Sequence, residues 1–231
     1  LRREHDGDLG SFLALEYFGP RCRGHMDHEE ALFQGPNEVA VYLQRPLGEG
    51  AVEDAAAEWL ERIAGSGCGA SEESILLLDN PRDRALFLEA RHSLPARTLE
   101  VVQRRGTFTI MTDAAVPPEA FREYLGFAHG LLREAGMDYV AFGHFGDCHL
   151  HFTLLPEPET VDRGIELYDR IVDEAASLGG VYSGEHGTGK RKRRDFLRCY
   201  GVAGAEQVLR CKRALDPGLL LNAGNVVEAP R

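Results

Sequence analysis

The chain has 231 residues, 43% of them hydrophobic, enough to bury one large core or two small ones. A formal net charge of -11 argues against nucleic acid as a general partner, because phosphate binding needs a basic face. No apolar run approaches the ~20 residues of a membrane-spanning helix, and the opening Leu1-Arg2-Arg3-Glu4-His5-Asp6 lacks the pattern of a secretory signal.

The first residue is not methionine, which suggests one part of a longer polypeptide. Cys22, Cys68, Cys148, Cys199 and Cys211 are odd in number, widely spaced and without a Cys-x-x-Cys pair, so a disulfide framework is not expected. A reducing compartment follows. The expected location is the cytoplasm, with a peripheral place at the inner face of the membrane as a variant.

In chain order, Glu38–Leu43 is rich in β-branched and aromatic residues and predicts a strand. An alanine-rich helix follows over Val52–Ala64 and stops at Gly65-Ser66-Gly67. The region around Gly48-Glu49-Gly50 is the one plausible boundary, and it reads as a loop within one domain. Thr107–Ala115 predicts the next strand, and Pro117 and Pro118 open a helix that runs through Tyr124, Phe127 and Leu131 to Ala135, ended by Gly136. Asp138–Phe145 and Cys148–Leu155 predict a hairpin turning at Gly146-Asp147. Helices are expected over Pro158–Leu178, Arg191–Cys199 and Ala203–Leu215. The fold class is therefore α+β: an antiparallel sheet with helices on one face, built from two ferredoxin-like strand–helix–strand units, plus a helical C-terminal tail.

The hairpin carries the chemistry. A two-residue turn pairs Phe145 with Cys148 and His144 with His149, and His151 shares the face of His149 because strand side chains alternate. Three of the nine histidines thus converge within eight residues, a donor set suited to zinc and other first-row ions. Cys148 is expected on the opposite face as a small buried residue. A one-residue bulge would turn His144 away.

A glycine-framed turn, Gly184-Glu185-His186-Gly187-Thr188-Gly189-Lys190, supplies an acidic ligand in Glu185. With it a metal could keep an open position for a substrate. His186 diverges from Glu185 if the backbone is extended, and so suits a base better than a ligand. The same turn satisfies the spacing of a nucleotide-binding loop, but Arg191 stands where Ser or Thr would hold magnesium, which sets that reading aside. The run Lys190-Arg191-Lys192-Arg193-Arg194 reads as a solvated helix start, as a nuclear-localisation-like tract or as a wall facing an anionic substrate or cofactor, and cations at a helix N-terminus call for a compensating anion.

Three blocks, Gly143-His144-Phe145-Gly146-Asp147-Cys148-His149-Leu150-His151, Gly179 to Gly189, and Leu215-Asp216-Pro217 with Asn222, resemble the C-terminal half of FAD-linked 2-hydroxy-acid dehydrogenases. That group includes D-lactate dehydrogenases, the flavin subunit of glycolate oxidase and D-2-hydroxyglutarate dehydrogenase, within the vanillyl-alcohol oxidase superfamily. The resemblance implies that residues 1–231 form a substrate-binding cap domain that lies over a flavin held by a separate FAD-binding domain, of which this chain shows no trace. It implies a divalent metal, zinc or else manganese or iron, on His144, His151 and Glu185, with His186 as the general base. Arg91 would pair with the substrate carboxylate, and Asn222 would approach the flavin. The implied substrate is a small 2-hydroxy acid; the implied electron acceptor is an iron–sulfur or quinone partner, and a homodimer is left open.

The departures narrow this. Cys148 and His149 replace the group's usual glycine and asparagine, Thr153 replaces an asparagine, and Met111 stands where some members carry a lysine for a second carboxylate, which favours a monocarboxylate. Ala223 and Asn225 break the usual ending after Asn222. A different reading is a noncatalytic subunit whose closed metal site, on His144, His149, His151 and Glu185, serves a docking surface for a flavoprotein or iron–sulfur partner.

Overall fold

Five antiparallel strands in the order β2-β1-β4-β5-β3 form the frame of a computed structural model that describes residues 12–48 and 50–228. The strands are β1 (Ala14–Phe18), β2 (Ala40–Gln44), β3 (Ile110–Met111), β4 (Tyr139–His144) and β5 (His149–Leu154). Five helices accompany them: α1 (Val52–Gly65), α2 (Pro81–Arg105), α3 (Phe121–Glu134), α4 (Val161–Ser177) and α5 (Arg193–Leu215).

The α+β class and the ferredoxin-like units stand. β3, α3 and β4 form one strand–helix–strand unit, with β5 inserted between its two strands. β5 and α4 lead into a short extended piece at Val181, which exchanges two backbone hydrogen bonds with Ala115 (3.1 and 2.8 Å), so the second unit closes on isolated bridges. Along β4 and β5, Tyr139, Ala141, Leu150, Phe152 and Leu154 face α3 and α4 and bury Tyr124, Leu132, Leu167 and Ile171 with them. Burying each such side chain contributes about 1.5–3 kcal/mol.

Two elements are absent from the sequence-derived list, β1 and α2. β1 extends the sheet beyond β4, and α2 packs Phe87 and Leu94 on Phe18 and Val140, covering part of the other sheet face. Its ends carry legible signals: Asn80 accepts from the Asp83 backbone N–H at 3.0 Å, Pro81 opens the helix, and Gly106 closes it in the left-handed region at φ 73°. Pro95 and a mostly polar sequence hide the helix between those ends.

Elsewhere the differences are local. The Thr107–Ala115 strand pairs as a regular ladder only at Ile110–Met111, and Asp113 and Ala115 continue it as isolated bridges. Pro117 and Pro118 lie in a turn ahead of α3, and Pro158–Thr160 form a short 3-10 turn ahead of α4. The two expected C-terminal helices are both present within the span α5 and meet at Gly201 (φ 63°, ψ -173°), a backbone state open to glycine. No described helix is long and apolar enough to cross a membrane.

Candidate metal and substrate site

β4 and β5 pair Val140 with Thr153, Phe142 with His151 and His144 with His149, so all six side chains share the sheet face opposite α3 and α4. The connection differs from the expected two-residue turn. Phe145–Asp147 make a 3-10 turn and Cys148 takes the left-handed region at φ 53°, which leaves the His144–His149 pairing and its parity unchanged. Left-handed backbone accounts for the glycine usual at Cys148, whose thiol is buried in the α3–α4 core as alternation requires.

Neighbouring strands add to this face. Glu16 of β1 pairs in register with His144, and Met111 of β3 with Thr153, so alternation also puts Asp113 on the histidine side. The Gly184–His186 bend arrives from the Val181 edge, where the Gly184 N–H donates to the Asp113 carbonyl at 2.7 Å. Gly184 is needed there for space: a Cβ would lie 2.8 Å from ring atoms of His149.

The predicted ligands meet. His151 Nε2 lies 2.9 Å from Glu185 Oε1, and His144 Nε2 lies 3.5 Å from Glu185 Oε2. Donors of a tetrahedral zinc site with bonds of ~2.0–2.1 Å are about 3.3 Å apart, so these spacings fit the edges of one coordination sphere. Donor atoms of His144, His149, His151 and Glu185 all lie within 4.8 Å of one another, and so do those of Asp113, His151, Glu185 and His186. Burial first, and then the neighbouring His149 and His186 rings, lower the His151 pKa to about 4, holding it in the neutral form that binds metal. His144 is shifted upward, chiefly by its hydrogen bond to Glu16 at 3.2 Å, against burial.

His186 does not diverge from Glu185, because residues 184–186 are bent rather than extended. Its ring stacks on His151 with centroids 4.9 Å apart and planes 15° apart, and its Nε2 is 3.4 Å from Glu185 Oε1. It is partly exposed, open to a proton donor arriving from outside. Arg91, on α2, joins the site through Glu16: its Nη2 donates to Glu16 Oε1 at 2.9 Å. Asn222 lies in an exposed turn at φ 47°, with Val226 N–H bonded to the Gly189 carbonyl at 2.8 Å. The structure therefore places its segment beside the end of the glycine-framed turn.

The basic run divides. Lys192 turns inward to Asp113 at 3.2 Å, Arg193 pairs with Glu228 and Arg194 with Asp169, while Lys190 and Arg191 are exposed. Asp195 in the first turn of α5 and these partners supply the compensating anions. Sequence reading missed Glu16 and Asp113. Both are buried acids within apolar runs, which is rare unless they are paired, and that was the available signal. Asp113 is wholly buried; burial opposes its charge, but hydrogen bonds from His149, Ser183 and the His186 backbone, with Lys192 nearby, hold it far below the usual carboxylate range. His151 Nδ1 and Thr153 Oγ1 are buried on this face without a hydrogen-bond partner among the described residues.

Residues 29–226 match the family described as FAD linked oxidases, C-terminal domain. A D-lactate dehydrogenase of Anaerostipes hadrus is 25% identical over 193 residues, which cover 82% of this chain and 40% of that protein. The glycolate oxidase subunit GlcD of Bacillus subtilis (strain 168) is 28% identical over 141 residues, 60% of this chain and 29% of that one. Among solved structures, a 4-ethylphenol oxidase from Gulosibacter chungangensis in an isoeugenol complex superposes with a TM-score of 0.57 at 16% identity, over 94% of this chain and 48% of that chain; it speaks for the fold alone.

Proposed function

The chain belongs to the FAD linked oxidases, C-terminal domain, and from that premise we propose that it is the substrate-binding and capping domain of an FAD-dependent 2-hydroxy-acid dehydrogenase. The substrate is a small D-2-hydroxy acid such as lactate or glycolate, and the product is the 2-oxo acid. The observation behind this reading is the convergence of His144, His151, Glu185 and His186 on one sheet face, with Arg91 at its margin.

In this reading His144, His151 and Glu185 hold a divalent metal, zinc or else manganese or iron. When bound, that ion supplies Lewis acidity at the substrate hydroxyl and carboxylate, and the flavin of an FAD domain supplies the acceptor for the C2 hydride. His186 takes the hydroxyl proton; its stacking on His151 fixes the ring, and its exposed edge leaves it open to a substrate. Arg91 orients the substrate carboxylate, where a guanidinium offers paired donors. Met111, opposite Thr153, lines the far end with apolar surface and disfavours a second carboxylate. Asn222 approaches the flavin.

A second reading, a closed structural metal in a docking subunit, draws on the presence of His149 in the same four-donor group. Elemental mass spectrometry of the purified chain and titration with D-lactate separate the two. Near-stoichiometric metal whose environment changes with the acid supports the catalytic site. A metal indifferent to the acid supports the docking subunit, and a Glu185→Ala chain that keeps full metal stoichiometry refutes the ligand set. In the holoenzyme, His186→Ala is expected to keep the metal and lose turnover by at least ~100-fold, the low end of a general base's contribution; unchanged turnover removes it as base.

A further inference from the structure

Asp113 lies at the junction of everything that builds this face. Its Oδ2 accepts from the Ser183 hydroxyl at 2.5 Å, the His186 backbone N–H at 2.9 Å and the Lys192 ammonium at 3.2 Å. Its Oδ1 accepts from His149 Nε2 at 2.9 Å, and its backbone carbonyl accepts from the Gly184 N–H. One residue thus grips the Ser183–His186 segment through three of its members, the ring of His149, and one cation of the basic run. His186 Nδ1 and His151 Nδ1 lie farther from Oδ1, at 3.5 and 3.8 Å.

We propose that Asp113 is a positioning residue: it fastens the bend carrying Glu185 and His186 against the sheet and fixes the His149 ring, while staying outside the metal's coordination sphere. This deepens the functional reading above and rests on it. Three donors crowd Oδ2, and Oδ1 is taken by the buried His149 ring, so each carboxylate oxygen is already committed to holding a neighbour in place. That commitment makes Asp113 an orienting group, and of the two overlapping donor groups it favours the one built on His144, His151 and Glu185 as the ligand set. Lys192 supplies the countercharge that a wholly buried carboxylate needs. The backbone bond to His186 is what lets adjacent side chains point the same way: an extended segment would alternate them, and Asp113 holds the bend that brings both to the histidines.

Asparagine at this position cannot reproduce the pattern. With its oxygen turned to Ser183, His186 and Lys192, its NH2 group faces His149 Nε2 and forces that ring to accept instead of donate. The Lys192 cation then loses its anion. Two effects are mixed in Asp113→Asn, a buried unpaired charge and lost orientation, and adding Lys192→Met removes the first.

The test uses the holoenzyme, this chain together with its FAD domain, in five forms: parent, Asp113→Asn, Lys192→Met, the Asp113→Asn/Lys192→Met pair, and Glu185→Ala. Three quantities are read: the thermal midpoint, zinc affinity by chelator competition, and kcat and KM for D-lactate. The expected result is that the pair regains most of the midpoint lost in Asp113→Asn. Its zinc affinity remains roughly 10–100-fold weaker than the parent's, the usual effect of losing an outer hydrogen-bond partner, and kcat falls by a similar factor. Recovery of zinc affinity and kcat along with the midpoint overturns the proposal and reduces Asp113 to a charge partner. Zinc binding lost in Glu185→Ala but as tight in the pair as in the parent also overturns it, leaving the metal site intact. Zinc binding retained in both overturns the metal reading and the role of Asp113 with it.

Discussion

Adding a single methyl group at Gly184 tests the packing of the site directly. In Gly184→Ala the new Cβ would lie 2.8 Å from Cε1 and Nε2 of His149 and 3.0 Å from its Cδ2. That ring cannot swing aside freely: it is buried, its Nε2 is bonded to Asp113, and its centroid lies 4.7 Å from that of His151. Overpacking of this kind costs about 1–3 kcal/mol, and weakening a hydrogen bond to a charged group costs a further ~1.5–3 kcal/mol if it is lost outright. A loss of about 3 kcal/mol lowers the thermal midpoint by roughly 6–12 °C in a chain of this size. Gly187 is the control, since it sits at φ 71° with open space around a Cβ, so Gly187→Ala costs only about 1–2 kcal/mol of left-handed strain. The assay is a double-mutant cycle of Gly184→Ala with His149→Ala, followed by thermal unfolding. Without the ring the methyl group has no clash, so the cycle shows a coupling above ~1 kcal/mol; additivity to within ~0.5 kcal/mol refutes the argument.

Glu16→Gln is expected to weaken zinc binding about tenfold, the low end for losing such a partner. The carboxylate accepts from His144 Nδ1 and leaves Nε2 for the proposed metal, whereas an amide NH2 can donate to Nδ1 and move the ring proton to Nε2; equal affinity in a chelator competition refutes this. Asp138 carries a depressed pKa: burial opposes its charge, but the Arg105 and Arg21 guanidinium groups outweigh it. Its contribution is present above the unfolded carboxyl value of about 3.9 and is lost as pH falls through the lower folded value. The stability gap between parent and Asp138→Asn, about 1–2 kcal/mol at pH 7, therefore closes on acidification in urea unfolding, and a gap constant down to pH ~2 would contradict it. Burial pushes the Cys22 thiol up to about 12, whereas Cys68 is exposed and shifted downward, first by its hydrogen bond with Ser66. Alkylation at pH ~8, near the usual thiol pKa, read by peptide mass spectrometry, is expected to mark Cys68 first and Cys22 only after unfolding; native labelling of both at one rate refutes the assignment.

The local part of this site is legible in the sequence. Alternation and the single pairing of His144 with His149 put His144, His149 and His151 on one face, and the pairing survived a longer turn than expected because parity, not turn length, decides the face. The Gly184–Gly187 framing announced a constrained bend at Glu185 and His186. Glycine and proline punctuation located α1, α3 and α4 to within a few residues.

What lay beyond local pattern was decided by the order of the strands. Glu16 precedes His144 by 128 positions and Asp113 precedes His186 by 73, and nothing in either neighbourhood names the partner. β1 joins the edge of β4, and the continuation of β3 runs between β5 and the Val181 segment, so two acids bury beside the histidines. Helix α2 brings Arg91 over the same face from a stretch whose polar sequence conceals its packing. Periodicity and turn chemistry act over a few residues and can be read along the chain. The pairing of distant charges depends on which strands become neighbours, a choice made by burying the apolar faces of the whole domain at once.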